Sequence, residues 1–231
     1  MKNSKDKPKK QGISLPTSTQ TETTYDIVAT VVELVPWIGG AVSNVLAGMS
    51  MNRKIGRIET CLKFLSERVE DVRSEKAENF VKTEDFEDLL EQTLKKVADE
   101  RNEEKRILYG RFLLNNIAMP EVDFEERSKM LRILEGLDPA HVELIKAFLQ
   151  IPTPRDSRGH WGSSIIRTLS SRLPNYSEER IIELVNDLEQ LGLTADLAGS
   201  LKTLMTSDGA VDLRSRVTAL GRRFVDFLGR E

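Results

Sequence analysis

The chain has 231 residues, of which 39% are hydrophobic and 31% are charged. This composition is typical of a soluble globular protein with one large domain or two small ones. The net charge of -3 provides no overall positive field that would attract nucleic acid. One cysteine and two histidines exclude a disulfide-rich scaffold and a zinc site built from thiolates. We therefore expect neither a metal nor another cofactor.

Residues 1–24 form a basic and polar tail that we expect to be disordered. Residues 1–12 carry five lysines and one aspartate, a local charge of five minus one, or +4. Residues 14–24 are polar and lack a helical apolar stripe, so they cannot bury enough surface to offset the entropy of ordering. A solvated leader is the favoured interpretation, and a basic anchor for anionic lipid or RNA is the alternative.

An apolar segment follows the tail. Its nineteen residues 34–52 carry no charge, which is about the length that spans a bilayer. The sequence Pro-Trp-Ile-Gly-Gly at 36–40 instead predicts a turn between two helices, one over 24–35 and one starting near Gly40. Small residues at every fourth position would let another backbone approach closely. We favour a buried soluble hairpin over a membrane-inserting one, and both interpretations depend on Pro36, Trp37, Gly39, Gly40, Ser43 and Ala47.

A heptad pattern predicts that the helix starting near Gly40 continues through Val72. Apolar residues recur at alternating spacings of four and three, the a/d pattern of a helix that packs along one seam. We interpret this seam as a self-association surface. It is filled either by a second copy or, within the chain, by Phe86, Leu90, Leu94 and Val97. The heptad seam consists of Met51, Ile55, Ile58, Leu62, Leu65, Val69 and Val72.

Two further helices are predicted before residue 138. Thr83 is expected to cap the first, which can continue to Ile117 unless the charged residues 99–106 form an exposed turn of ion pairs. Pro120 ends this pattern, and a shorter helix follows over 124–134. We therefore predict a mainly α fold with a long-helix hairpin or bundle over residues 25–137.

Residues 138–231 are predicted to form a second, smaller domain. Ser177 is placed to cap its third helix, and Gly192 is placed to close that helix. Apolar periodicity predicts its first three helices over residues 139–150, 161–173 and 177–191.

A β-hairpin and a final helix complete this order. Asp208-Gly209 separates two short runs within residues 197–217, which predicts the hairpin. Thr218 opens the last helix. The runs DLEQLGLT and VTALGRRFVDFL resemble those of winged-helix domains in bacterial regulators, and this resemblance implies a winged-helix fold over about 139–231.

The winged-helix resemblance implies a third helix in the DNA major groove and a hairpin that contacts phosphate. The predicted third helix, however, carries one arginine and five acidic residues, a charge of one minus five, or -4, which phosphates repel. The hairpin region carries Lys202, Arg214 and Arg216, which are the candidate contacts with nucleic acid or a protein partner. We favour a protein contact over DNA.

The sequence contains no recognisable catalytic constellation. Cys61 lies beside the heptad seam, His160 has no histidine close in sequence, and no phosphate-binding loop is present. The N-terminal part, with its Pro-x-x-Gly-Gly element and long charged helix, resembles a group of largely uncharacterised bacterial helical proteins. This resemblance implies a bacterial origin and a helical fold, without an activity.

We therefore predict a non-enzymatic bacterial interaction or effector protein. Its helical N-terminal region would self-associate, giving a homo-oligomer, or engage a membrane, while its winged helix would contact a partner. We expect it in the cytoplasm, with a peripheral association with the inner membrane as the alternative. The alternative function is a winged-helix DNA-binding regulator that dimerises through the heptad seam.

Overall fold

The computed structural model describes residues 36–48, 55–149, 164–197, 199–203 and 213–229. The predicted tail over 1–24 and the predicted helix over 24–35 lie outside these ranges. The described residues are mainly helical, as predicted. Their α-helices are α1 Pro36–Gly48, α2 Ile55–Ser66, α3 Glu75–Phe80, α4 Glu84–Asp99, α5 Glu103–Ala118, α6 Phe124–Gly136, α7 Pro139–Leu149, α8 Ile165–Arg172, α9 Glu178–Gln190 and α10 Ala219–Leu228.

Most helices begin at a side chain that satisfies a free backbone N–H group. At each of these caps a side-chain oxygen accepts a hydrogen bond from the N–H three residues later, as expected at a helix N-terminus. The predicted caps Thr83 and Ser177 are confirmed, and Thr218, which was predicted to open the last helix, caps that helix. The other residues that cap in this way are Ser74, Asn102, Asp123 and Ser164.

The predicted turn at 36–40 is wrong. Pro36, Gly39 and Gly40 all lie within α1, although glycine disfavours a helix interior by about 1 kcal/mol. Packing outweighs this preference, because α1 lies against α4 and buries Val42 completely. The described helix of the predicted hairpin is therefore packed against the helix that Thr83 opens, as the soluble interpretation requires.

The predicted continuous helix through Val72 is also wrong. Helix α2 ends at Ser66, and Val69–Val72 forms a separate 3-10 turn. The 3-10 turn still directs Val69 into the core, where it is fully buried. The apolar spacing is therefore satisfied by a change of helix type rather than by one long helix.

The charged stretch at 99–106 interrupts the helix that could have joined 84 to 117. Helix α4 ends at Asp99, and α5 starts at Glu103. The Arg57 guanidinium on α2 donates to the carbonyl of Ala98 at 2.9 Å, and so caps the end of α4. Lys105 is buried and donates to the carbonyl of Glu135 at 2.8 Å, so this stretch is less exposed than predicted.

A buried arginine ties the end of α5 to α6. Arg127 has no exposed surface, and its guanidinium donates to the carbonyls of Asn116, Met119 and Val122 at 2.8, 2.7 and 2.9 Å. It also donates to Asn116 Oδ1 at 2.9 Å and stacks over the Phe80 ring at 4.1 Å. Burial lowers the pKa of Arg127 to about 10, so the side chain stays charged at neutral pH.

Helices α7, α8 and α9 pack together in the C-terminal part. Gly192 closes α9 with a positive φ of 70°, a backbone conformation that favours glycine. Residues 204–212 of the predicted hairpin lie outside the described residues. The described parts contain turns over 199–203 and a 3-10 turn at Arg214–Arg216, where a second strand was predicted.

Helix α10 joins the two predicted domains into one core. The Phe227 and Phe112 rings stack at 6.1 Å between centroids, and Arg223 donates to both carboxylate oxygens of Glu126 at 2.6 and 3.2 Å. The buried hydrophobic residues on both sides of position 138 form one continuous cluster. Helix α10 therefore packs against residues of the predicted N-terminal domain as well as its own.

Candidate functional site: the acidic face of the third helix

Helix α9 has one buried face and one acidic face. Its buried face consists of Ile181, Leu184, Val185 and Leu188, spaced to point toward α7 and α8. The opposite face exposes four carboxylates to solvent, and these define the acidic face: Glu178, Glu179, Glu183 and Asp187.

One carboxylate of the acidic face, that of Glu179, is stabilised in its charged form. The pKa of Glu179 is lowered because its carboxylate accepts hydrogen bonds from its own backbone N–H and from Ser177, with a further contribution from the positive charge of Lys202. Arg180 lies among the carboxylates and pairs with Glu183 at 3.1 Å and with Asp138 at 3.6 Å. One paired cation leaves a surface that repels phosphate.

His141 holds α9 against α7. Its Nδ1 accepts a hydrogen bond from the backbone N–H of Asp138 at 3.0 Å, so its Nε2 carries the proton in the neutral ring. Nε2 then donates to Asp187 Oδ2 at 3.1 Å. His141 is buried, and the bond fixes the position of one carboxylate of the acidic face.

Of the predicted basic contacts, Lys202 lies near Glu179 of the acidic face, whereas Arg214 and Arg216 lie in the 3-10 turn that precedes α10. Lys202 and Arg214 are exposed, and the proximity of Lys202 to Glu179 partly neutralises its charge. Arg216 donates to the carbonyl of Asp196 at 3.4 Å. Arg222 on α10 donates to the carbonyl of Arg214 at 3.0 Å. These contacts hold the 3-10 turn in place at the base of the predicted hairpin.

Two extended segments are paired at that base. Thr194 and Val217 form an antiparallel β-bridge. The N–H of Ala195 donates to the carbonyl of Arg216 at 3.0 Å, and the N–H of Thr218 donates to that of Leu193 at 3.1 Å. The chain that leaves α9 therefore lies beside the chain that enters α10.

The heptad seam is filled from within the chain. Ile58, Leu62 and Leu65 are at most 2% exposed, because α2 packs against α4 and α5. Val72 is partly buried against the same core. Met51 and the side chain of Ile55 lie outside the description. The described seam residues therefore offer no open surface to a second copy.

The hairpin residues of α1 are divided between core and surface. Gly39 is buried, Gly40 is exposed and Ser43 is intermediate. Trp37 is partly buried and donates through Nε1 to Glu70 at 2.9 Å. The side chains of Pro36 and Ala47 lie outside the description. Within the described residues, no helix has the length and apolar character that crossing a membrane requires.

The single cysteine of the chain is buried in the core. Burial raises the pKa of Cys61 from 9.0 to about 12, which keeps the thiol protonated and buried, as expected for a structural cysteine. His160 lies outside the described residues. Among the described residues, no group of three or more His, Cys, Asp or Glu side chains could hold a metal ion.

A cleft of about 750 Å³, which the sequence did not predict, lies between α6 and α10. Its walls include Glu125, Lys129 and Arg132 from α6, and Leu220 and Arg223 from α10. The spacing of 125, 129 and 132 by four and three places these residues along one helix stripe. That stripe was visible in the sequence, but its position next to α10 was not.

Comparison of the chain with protein-family models, curated proteins and solved structures gave no match.

Proposed function

We propose that this chain is a non-enzymatic bacterial interaction protein whose C-terminal part is a winged-helix domain that contacts a basic protein partner. The acidic face of α9 carries this proposal, because the helix that would read DNA in such a domain repels phosphate. The protein would act in the cytoplasm.

The arrangement of the C-terminal part supports a winged helix. Three packed helices, α7 to α9, are followed by the bridge between Thr194 and Val217 and then by α10. An antiparallel pair between the third and last helices is where a wing would start. The proposed wing would have its tip within residues 204–212, which lie outside the described residues.

The rival function, a DNA-binding regulator that dimerises through the heptad seam, has less support. The seam residues Leu62 and Leu65 are buried within the chain, and the acidic face opposes approach to a phosphate backbone. Two exposed cations, Lys202 and Arg214, favour it. Duplex binding would therefore be weak and salt-sensitive, with a Kd above about 1 µM at physiological salt.

Fluorescence anisotropy with two probes tests the proposal. One probe is a labelled duplex DNA of mixed sequence, and the other is a labelled lysine-rich helical peptide with a glutamine-substituted version as its control. We expect the lysine peptide to bind more tightly than its control, and we expect the duplex to bind weakly. Nanomolar, sequence-selective binding of DNA would overturn the proposal.

A charge-neutralised variant locates the contact. The triple substitution of glutamine at Glu178, Glu179 and Glu183 is expected to weaken peptide binding about tenfold, since each exposed charge contributes under about 1 kcal/mol. A matched triple substitution elsewhere, at the exposed residues Glu59, Glu75 and Glu84, should leave binding unchanged. Equal losses in the two variants would show that the acidic face has no special role.

A further inference from the structure

The cleft between α6 and α10 carries charges of both signs on one helix stripe. Glu125, Lys129 and Arg132 are exposed, and they form no ion pair with another described residue. The negative charge lies toward the start of α6 and the positive charges lie toward its end. Over seven residues this polarity extends about 10 Å along the helix.

An apolar edge borders the same cleft. Leu220 lines the cleft, and its Cδ2 lies 4.0 Å from the position that a Cβ would take at Gly192. The residue before that glycine, Leu191, is 37% exposed and is the most exposed large hydrophobic side chain among the described residues. Polar walls beside an apolar edge are the composition of a protein interface.

We propose that two copies of this chain form a twofold dimer through this cleft, with α6 of one copy lying antiparallel to α6 of the other. Under a twofold axis, each residue meets a partner residue reciprocally. An antiparallel alignment brings Glu125 opposite Arg132 of the second copy, and Arg132 opposite Glu125. Both ends of the stripe are then paired by opposite charges.

The charge pattern favours a second copy over an unrelated partner. A face of a single sign would need an oppositely charged protein, whereas this polarised stripe is complementary to itself. In this alignment the twofold axis passes between positions 128 and 129. The two Lys129 side chains therefore lie near each other, and each is long enough to turn along the helix toward Glu125 of the second copy.

This dimer is independent of the acidic face of α9 and of the winged-helix proposal. It replaces the heptad seam as the self-association surface, because the described seam residues are buried within one chain. Exposed ion pairs are individually weak and are screened by salt. The dimer is therefore expected to be weak and reversible, and to dissociate further as salt is raised.

Charge exchange on α6 tests the dimer. The molar mass of the full chain, 26.1 kDa as a monomer, is measured by light scattering across micromolar concentrations. Glu125→Lys and Arg132→Glu are each expected to raise the dimer dissociation constant about tenfold or more, because each places like charges opposite one another. The double variant Glu125→Lys/Arg132→Glu restores the opposite pairs and should restore the dimer.

Matched controls separate this interface from a general charge effect. Glu84→Lys and Lys82→Glu make the same charge changes at exposed positions away from the cleft, and they should leave the dimer unchanged. Circular dichroism confirms that each variant is folded. A wild-type chain that is monomeric throughout, a dimer that survives both single exchanges, or a double variant that stays monomeric would each overturn the proposal.

Discussion

Replacement of Arg127 by methionine is expected to lower the free energy of unfolding by about 4 kcal/mol. The substitution removes four hydrogen bonds of 2.7 to 2.9 Å, three of them to backbone carbonyls in the last turn of α5 and the segment that leads to α6. Hydrogen bonds to a charged group each contribute about 1.5–3 kcal/mol. Relief of the cost of burying the guanidinium, several kcal/mol, offsets much of that sum and leaves the smaller net loss.

Arg127→Lys separates the charge from the geometry. Lysine keeps the positive charge, but its single ammonium group cannot reach three carbonyls arranged around a planar fork. We expect a loss of about 2–3 kcal/mol, between the wild-type chain and the methionine variant. The control is Arg101→Met at an exposed position, which should change stability by less than about 0.5 kcal/mol.

Urea unfolding followed by far-UV circular dichroism measures these differences. With a slope of about 2 kcal/mol per molar urea, the midpoint should fall by about 2 M for Arg127→Met and by about 1 M for Arg127→Lys. A midpoint for Arg127→Met that equals that of Arg101→Met would refute the reasoning. It would mean that the carbonyls at the end of α5 find other donors at no cost.

Three further changes test the core and its response to pH. Leu62→Asp should unfold the chain, because an unpaired charge would replace a side chain that is 1% exposed. Glu67→Ala, the exposed control, should change the free energy of unfolding by less than about 0.5 kcal/mol. Equal melting temperatures of the two variants would contradict this assignment of the buried and exposed faces. Gly221→Ala would place a Cβ 2.1 Å from a backbone oxygen and should lower the free energy of unfolding by about 3 kcal/mol or more. The Cβ of Gly136→Ala would meet no atom within 4 Å, so this control should be neutral or stabilising. Thermal melts of both variants measure the difference. The pKa of Cys61 is about 12 in the folded chain, against an ordinary value of 9.0. Its contribution to stability is therefore complete below pH 9 and is lost as pH rises toward 12. Between pH 8 and pH 10, urea titrations should show that the free energy of unfolding of Cys61→Ala falls by about 1.4 kcal/mol less than that of the wild-type chain. An identical pH dependence in both chains would contradict that linkage.

Sequence patterns predicted where several helices begin and end. Caps such as Thr83 and Ser177 act through a side chain and an N–H three residues away, and the glycine at 192 acts through its own backbone. These signals are local, so a single sequence contains them in full. Helix α3 was missed because its six residues, EKAENF, are too few to show an apolar period.

The errors concern segments where packing overrides local preference. The pentapeptide at 36–40 has the composition of a turn, but burial of Val42 against α4 holds it in a helix. The heptad seam predicted the burial of Leu62 and Val69 correctly. It could not show that α2 stops at Ser66, because a 3-10 turn can keep the next valine on the same side.

The candidate site was predictable only in its charge. The excess of carboxylates over 177–191 indicated an acidic helix surface, and the structure exposes Glu178, Glu179 and Glu183 to solvent. The α6–α10 cleft depends on the pairing of Glu126 with Arg223, which no local pattern reveals. The burial of Arg127 was not predicted, although the residue lies on the stripe that includes Leu131 and Leu134, where an apolar residue would be expected.

The position of α10 has a consequence for how the protein is made. Arg223 and Glu126 are 97 residues apart in the chain, and a ribosome adds about 5–20 residues per second. Roughly 5 to 20 s therefore pass after Glu126 is synthesised before its partner exists. During that interval the face of α5 around Phe112 has no Phe227 to cover it. The N-terminal helices cannot bury this face until α10 has been synthesised. The nascent chain therefore exposes an apolar surface that a ribosome-associated chaperone could bind.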